Sequence, residues 1–165
     1  MTSDLKWSKN TEFLVKKANA RMRLFHKIVE LSAPVEDMVE IYTSYIRSML
    51  EQSCTVWHSS LTQENSEDLE RVQKSAVRII LGVNYTTYEE GLQSLMLAKL
   101  SDRRENLSLK FAQKCLKNDL TSDLFPLNNV RNKEKFKVLH ANTDRLKDSA
   151  VPYLQRLLNA NVVLL

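Results

Sequence analysis

The sequence predicts an all-α fold, an antiparallel helical bundle of three long helices followed by a C-terminal helical extension. Two observations predict it. Only two glycines and three prolines occur in 165 residues. Sheet-rich folds consume both in their many turns, so this scarcity favours long helices with short connections. Apolar residues make up 43% of the chain, and they recur at the three-to-four-residue spacing of a helix face.

Residues 1–8 read as a short extended segment in which Leu5 and Trp7 alternate with polar neighbours. A first helix is expected from Thr11 to Leu31. At about 100° per residue, Leu14, Ala18, Met22, Phe25 and Val29 share one face, and Lys16, Arg23 and Lys27 fall opposite. Pro34 opens a second helix, since its fixed φ suits a first turn, and Glu36 and Asp37 complement the positive end of the helix dipole. Val35, Met38, Tyr42, Tyr45 and Met49 are its expected buried stripe.

Residues 53–61 break the pattern. Thr62 reads as the N-cap of a third helix that stops at Gly82, burying Leu69, Val72, Ala76, Ile79 and Ile80, with Arg71, Lys74 and Arg78 on the far side. Thr87 and Glu90 have the spacing of a capping box for a short fourth helix anchored by Leu92 and Leu95. Ser101 is expected to cap a fifth helix to about Asn118, burying Leu107, Phe111 and Cys115 and exposing Arg103, Lys110, Lys114 and Lys117. Residues 119–142 are polar and weakly patterned. A last helix over 152–159 docks Tyr153, Leu154, Leu157 and Leu158. The expected organisation is therefore an entry segment over 1–10, a bundle over 11–82, a two-helix extension over 83–118, and an irregular segment with a short helix over 119–165.

The charge balance and the absent motifs bound the function. Net charge is +4, unevenly spread: seven Lys/Arg against three acids over 1–31, five against two over 101–118, and five against ten over 32–100. Such segregation is the footprint of polyanion binding. No apolar run approaches the ~18 residues of a membrane span, and the N-terminus has no signal-peptide core, so an intracellular protein (nucleus or cytoplasm) with no membrane partner is expected. Cys54 and Cys115 are expected to be reduced and buried. The acid pairs Glu36/Asp37, Glu67/Asp68 and Glu89/Glu90 fall in first turns of helices, where the dipole favours them, and neighbouring helix positions diverge too far to hold one ion. Cys54 and His58 are spaced like two zinc ligands, but only Cys115, His26 and His140 remain to complete four. No Walker loop, dinucleotide cradle or nucleophile elbow occurs. The sequence implies no enzyme activity, no metal, no cofactor and no small-molecule substrate. The protein is expected to act by binding.

Five segments carry a more specific signal: LKWS (Leu5–Ser8), IRSMLEQSCTVWHSSLT (Ile46–Thr62), LERVQKSAVRIILG (Leu69–Gly82), KLSDRRENLSLKF (Lys99–Phe111) and VPYLQRLLN (Val151–Asn159). In their order and spacing they resemble the C-terminal region of Jockey-like non-LTR retrotransposon reverse transcriptases, over roughly Leu5 to Asn159. The resemblance implies that residues 1–10 are a remnant of the segment closing the polymerase palm. It also implies that 11–82 correspond to the thumb, which grips the template–primer duplex. Several positions depart from the pattern: Asn10 replaces a usual His, Ser48 and Thr55 a common Pro, Gln52 an aromatic, and Ser75 a Lys or Arg. No Asp-Asp pair occurs, and the polymerase reaction needs paired aspartates to hold two metal ions. The chain is thus expected to lack fingers and palm and to show no polymerase or nuclease activity. Its expected partner is an RNA or DNA template–primer duplex, bound without sequence preference through Lys16, Arg23, Lys27, Arg71, Lys74 and Arg78, with the missing palm as a further partner. The alternative is a helical protein-interaction module, or the inert remnant of a decayed element.

Overall fold

A computed structural model of the chain describes residues 7–128 and 135–161. Leu5 of the Leu-x-Trp motif, residues 129–134 of the polar stretch and the last four residues lie outside these. The described residues form helices, with one isolated antiparallel bridge between Leu127 and Phe136. The all-α class is the observed one.

Helix α1 (Ser8–Glu30) begins three residues before its expected start. The Trp7 carbonyl accepts a hydrogen bond from the Thr11 amide at 2.9 Å. Leu14, Ala18, Met22 and Phe25 are buried as their spacing dictates, and Val29 is half-buried. Pro34 immediately precedes α2 (Val35–Ile41), with Glu36 and Asp37 in its first turn.

The second helix is not one regular helix. Residues Tyr42–Arg47 form a π-helical stretch, and α3 (Ser48–Leu50) continues it. A wider i→i+5 turn advances each residue by less than an α turn, so the faces shift along the segment. Met38, Tyr42, Ile46, Met49 and Leu50 are consequently buried, while Val35 and Tyr45 are 41% and 42% exposed, against expectation.

Residues 53–60 are also helical, as α4 (Cys54–Trp57) and a 3-10 turn (His58–Ser60). Helix α5 (Gln63–Leu81) is capped by Thr62, whose hydroxyl accepts from the Asn65 amide, and ends at Gly82 with φ +50°. Leu69, Val72, Ala76 and Ile80 are buried; Ile79 is only partly so, and Gln73 and Val77 join the core instead. Thr87 caps α6 (Tyr88–Ser94) by accepting from the Glu90 amide. The Glu90 carboxylate takes the Thr86 hydroxyl, so the capping box is only half made. Gly91 of α6 lies against α5: a Cβ there would meet Val77 Cγ1 at 2.6 Å.

Helix α7 (Leu100–Leu116) starts one residue before the expected cap at Ser101. Its first amide is held instead by the Glu70 carboxylate, at 3.1 and 3.2 Å. Its buried face is Arg104, Ser108, Ala112 and Cys115. Leu107 is half-buried and Phe111 is 43% exposed, so the expected face is turned. Helices α8 (Asp144–Lys147) and α9 (Ala150–Ala160) follow.

By backbone packing the chain divides into two compact units, one of residues up to Gln52 with Leu61–Arg103, the other of Ser53–Ser60 with residues from Arg104 onward. In the first, α1 packs on α5 and α5 on α6. In the second, Ala112, Cys115, Phe125, Phe136, Leu154 and Leu158 form the core. There the Gln155 and Asn159 side chains of α9, one turn apart, bond the backbones of Leu124 and Leu139 and of Phe136. Four polar bonds thus fix a stretch of low helical propensity.

Candidate nucleic-acid interface

The six basic residues singled out by spacing all lie exposed, three on α1 and three on α5. The first turns of these helices sit side by side: the Asn65 side-chain Nδ2 donates to Ser8 Oγ at 3.4 Å. Between them runs a groove of about 450 Å³ lined by Ser8, Glu12, Val15, Lys16, Asn19, Arg23, Asn65 and Asp68. Lys16 and Arg23 therefore share one surface depression with the start of α5. Lys27 lies one turn beyond Arg23 on the same outward face.

On α5 the basic residues are placed differently. Arg71 and Lys74 line a second open groove of about 450 Å³ with Ser66, Glu67, Glu70, Tyr88, Lys99 and Ser101. The Lys74 ammonium stands 6.0 Å from the Tyr88 ring centre, and the Arg78 guanidinium 5.1 Å from that of Tyr85. A cation over a ring face keeps its charge while its alkyl stem is anchored. Arg71 alone of the six is in an ion pair among the described residues, to Asp68 at 2.8 Å. That pair is exposed and worth at most about 1 kcal/mol. The other five carry charge that no carboxylate in the described residues neutralises within 4 Å. Acidic side chains nevertheless punctuate both grooves: Glu12 and Asp68 in the first, Glu67 and Glu70 in the second.

Spacing did not reveal what lies beneath the second groove. The Tyr42 hydroxyl donates to Gln73 Oε1 at 2.7 Å, and Gln73 Nε2 donates to the Tyr88 hydroxyl at 3.0 Å and the Ala98 carbonyl at 2.9 Å. The Tyr88 hydroxyl in turn donates to Glu70, which holds the first amide of α7. Burial raises Tyr42 far above the ordinary phenol range. Burial, and then its bond to Glu70, raises Tyr88 likewise. Both phenols are therefore fixed neutral donors, suited to holding α5 in place and unsuited to proton transfer near neutrality.

Two further arginines expected or available on the surface are engaged internally. Arg103 Nη2 bonds Glu51 Oε2 at 3.1 Å, and Arg47 Nε lies 3.8 Å from the same carboxylate. Burial, then the nearby Arg103 charge, lowers the Arg47 pKa. Arg103 thus leaves the basic stripe expected of α7, while Lys110, Lys114 and Lys117 remain exposed. Among the described residues no three His, Cys, Asp or Glu side chains cluster to hold a metal ion, and no helix is long and apolar enough to cross a membrane. Cys54 and Cys115 are buried and form no disulfide. No known family model, curated protein or solved structure matches the chain.

Proposed function

We propose that this chain binds a nucleic-acid duplex non-specifically, as a thumb-like part of a retrotransposon reverse transcriptase that contributes grip and no catalytic group. In this reading residues 11–82 act as an antiparallel bundle of three helical segments, the second running through the π turn. The backbone of a template–primer duplex tracks the outward faces of the first and third. The observation that supports it most is the set of exposed, unneutralised cations on two adjacent helices: Lys16, Arg23 and Lys27 on α1, Lys74 and Arg78 on α5. Backbone contact needs positive charge at helical spacing and no base-edge readers, which suits these faces. The interspersed acids, Glu12, Asp68 and Glu67, keep the attraction modest.

Fluorescence anisotropy of a labelled RNA–DNA duplex, titrated at several salt concentrations, tests the proposal. Each neutralised phosphate adds about 0.9 to the log–log salt slope, so three or four engaged side chains give a slope of about −3, with affinity of about micromolar or weaker at physiological salt. A flat salt dependence would leave the helical interaction module as the better account.

A further inference from the structure

Helix α1 carries a second stripe, exposed at Phe13, Lys17, Leu24 and Leu31 and half-buried at Arg21 and Ile28, that faces neither its core nor the α5 groove. At about 100° per residue, Phe13, Lys17, Arg21, Leu24, Ile28 and Leu31 lie within about 80° of one another. The direction differs from that of Leu14, Ala18, Met22 and Phe25, which are buried. Phe13 is 53%, Leu24 50% and Leu31 80% exposed. The spacing from Lys17 to Leu31 alternates four and three residues, the seam of a helix that pairs with another. Tyr45 of the π turn joins the stripe: the Arg21 guanidinium lies 4.3 Å from its ring centre and donates to its carbonyl. The Lys17 ammonium lies 4.4 Å from the Phe13 ring centre. Neither cation is in an ion pair among the described residues.

The seam itself carries no acid. Both glutamates of α1, Glu12 and Glu30, fall on the opposite flank by the same geometry. Apolar residues every turn, with cations on the same face and no carboxylate to answer them, make a surface incomplete in both charge and burial. We propose that this seam docks an acidic amphipathic helix of a partner protein, its leucine-type residues packing on Leu24, Ile28 and Leu31 and its carboxylates meeting Lys17 and Arg21.

Two other occupants fit less well. A second copy paired through the same seam would gather four cations in one interface with no acid among them. A nucleic acid would find the described faces of the Phe13 and Tyr45 rings already covered by cations, and has no use for an exposed aliphatic run. The seam is separate from the α1–α5 groove, so this proposal stands whether or not the duplex reading holds.

The test uses the full chain and a fluorescein-labelled synthetic helix of about three heptads, with leucine at the seam positions and glutamate beside them. A sequence-scrambled peptide of the same composition is the control. Saturable binding to the patterned peptide, weakened at least about tenfold by Lys17→Glu with Arg21→Glu and similarly by Leu24→Asp, is expected. Circular dichroism of each variant would show unchanged helix, because Lys17 and Leu24 are exposed and Arg21 lies outside the α1 core. Equal binding of scrambled and patterned peptides, no binding at all, or full affinity in the Leu24→Asp variant would overturn the proposal. A dimer in sedimentation equilibrium that Leu24→Asp dissolves would overturn it in favour of self-association. Loss of single-stranded oligonucleotide binding in the Arg21→Glu variant, without peptide binding, would overturn it in favour of nucleic acid.

Discussion

The two compact units differ in the charge of their largest fully buried polar side chain. In the first it is neutral: Gln73 accepts from Tyr42 and donates to Tyr88 and to the Ala98 carbonyl. In the second it is charged. Arg104 is fully buried, lies 6.0 Å from the Trp57 ring centre and donates Nε to His58 Nδ1 at 3.3 Å. An amide network holds its bonds at any ordinary pH. An arginine bonded to a neutral imidazole does not, because the acceptor is lost when His58 takes a proton. The Gln73 bonds beneath the proposed duplex contacts are therefore independent of pH, and the Arg104–His58 bond of the other unit is not.

The largest effect should come from the wall of the charged site. Trp57 is 2% exposed, and Trp57→Ala should cost about 3–5 kcal/mol. Hydrogen exchange should show protection lost first around α4, α7 beyond Arg104, and α9. An unchanged melting temperature would mean the tryptophan does not support that unit. Next comes the neutral network. Gln73→Leu leaves the Tyr42 hydroxyl without its acceptor and the Ala98 carbonyl without its donor, and should cost about 2–4 kcal/mol. Its effect should be the same at pH 5 and pH 8. A cost that varies with pH would break the comparison.

The smallest of the three effects is acid sensitivity. Burial, and then the Arg104 charge, lowers His58 from 6.5 to about 4. The unfolded chain thus takes up the proton first. Stability from this site is whole above about pH 6.5, falls as pH drops towards 4, and levels off below it. The loss should be about 1–2 kcal/mol once solvent screening at a half-buried ring is allowed for. His58→Gln should flatten that slope in urea titrations run across this range. If the slope persists in the variant, His58 is not its source.

How legible these features were follows from how local their causes are. Thr62, Thr87 and Gly82 mark helix ends through short-range chemistry, and each sits where the sequence places it. Pro34 marks the start of α2 from one position outside it, as the N-cap and not in the first turn. The π turn was not legible, because its register depends on what Tyr42 and Ile46 pack against. Nor was Glu70 as the cap of α7, since carboxylate and amide are 30 residues apart. Gln73 could have been found: it stands on the apolar face between Leu69 and Ala76, where a polar residue demands partners. Arg104 gave no such sign, as Arg104, Ser108, Ala112 and Cys115 make a weakly apolar stripe. The exposure of the six candidate cations was readable from their phase on each helix. Three of the acids beside them were readable in the same way, since Glu12, Glu67 and Glu70 lie one turn before Lys16, Arg71 and Lys74 on the same helices. Asp68 in the α1 groove was not, because the neighbouring α5 contributes it.

The central claim is that cations on α1 and α5 act together on one duplex. Arg23 and Arg78 lie on different helices, are exposed, and are in no ion pair among the described residues. Reversing both, in an Arg23→Glu, Arg78→Glu variant, tests the claim most directly, by anisotropy with an RNA–DNA duplex at low salt. The account predicts at least about a tenfold loss of affinity and a log–log salt slope reduced by about 2, from two phosphate contacts at about 0.9 each. Duplex binding with unchanged affinity and slope would contradict it.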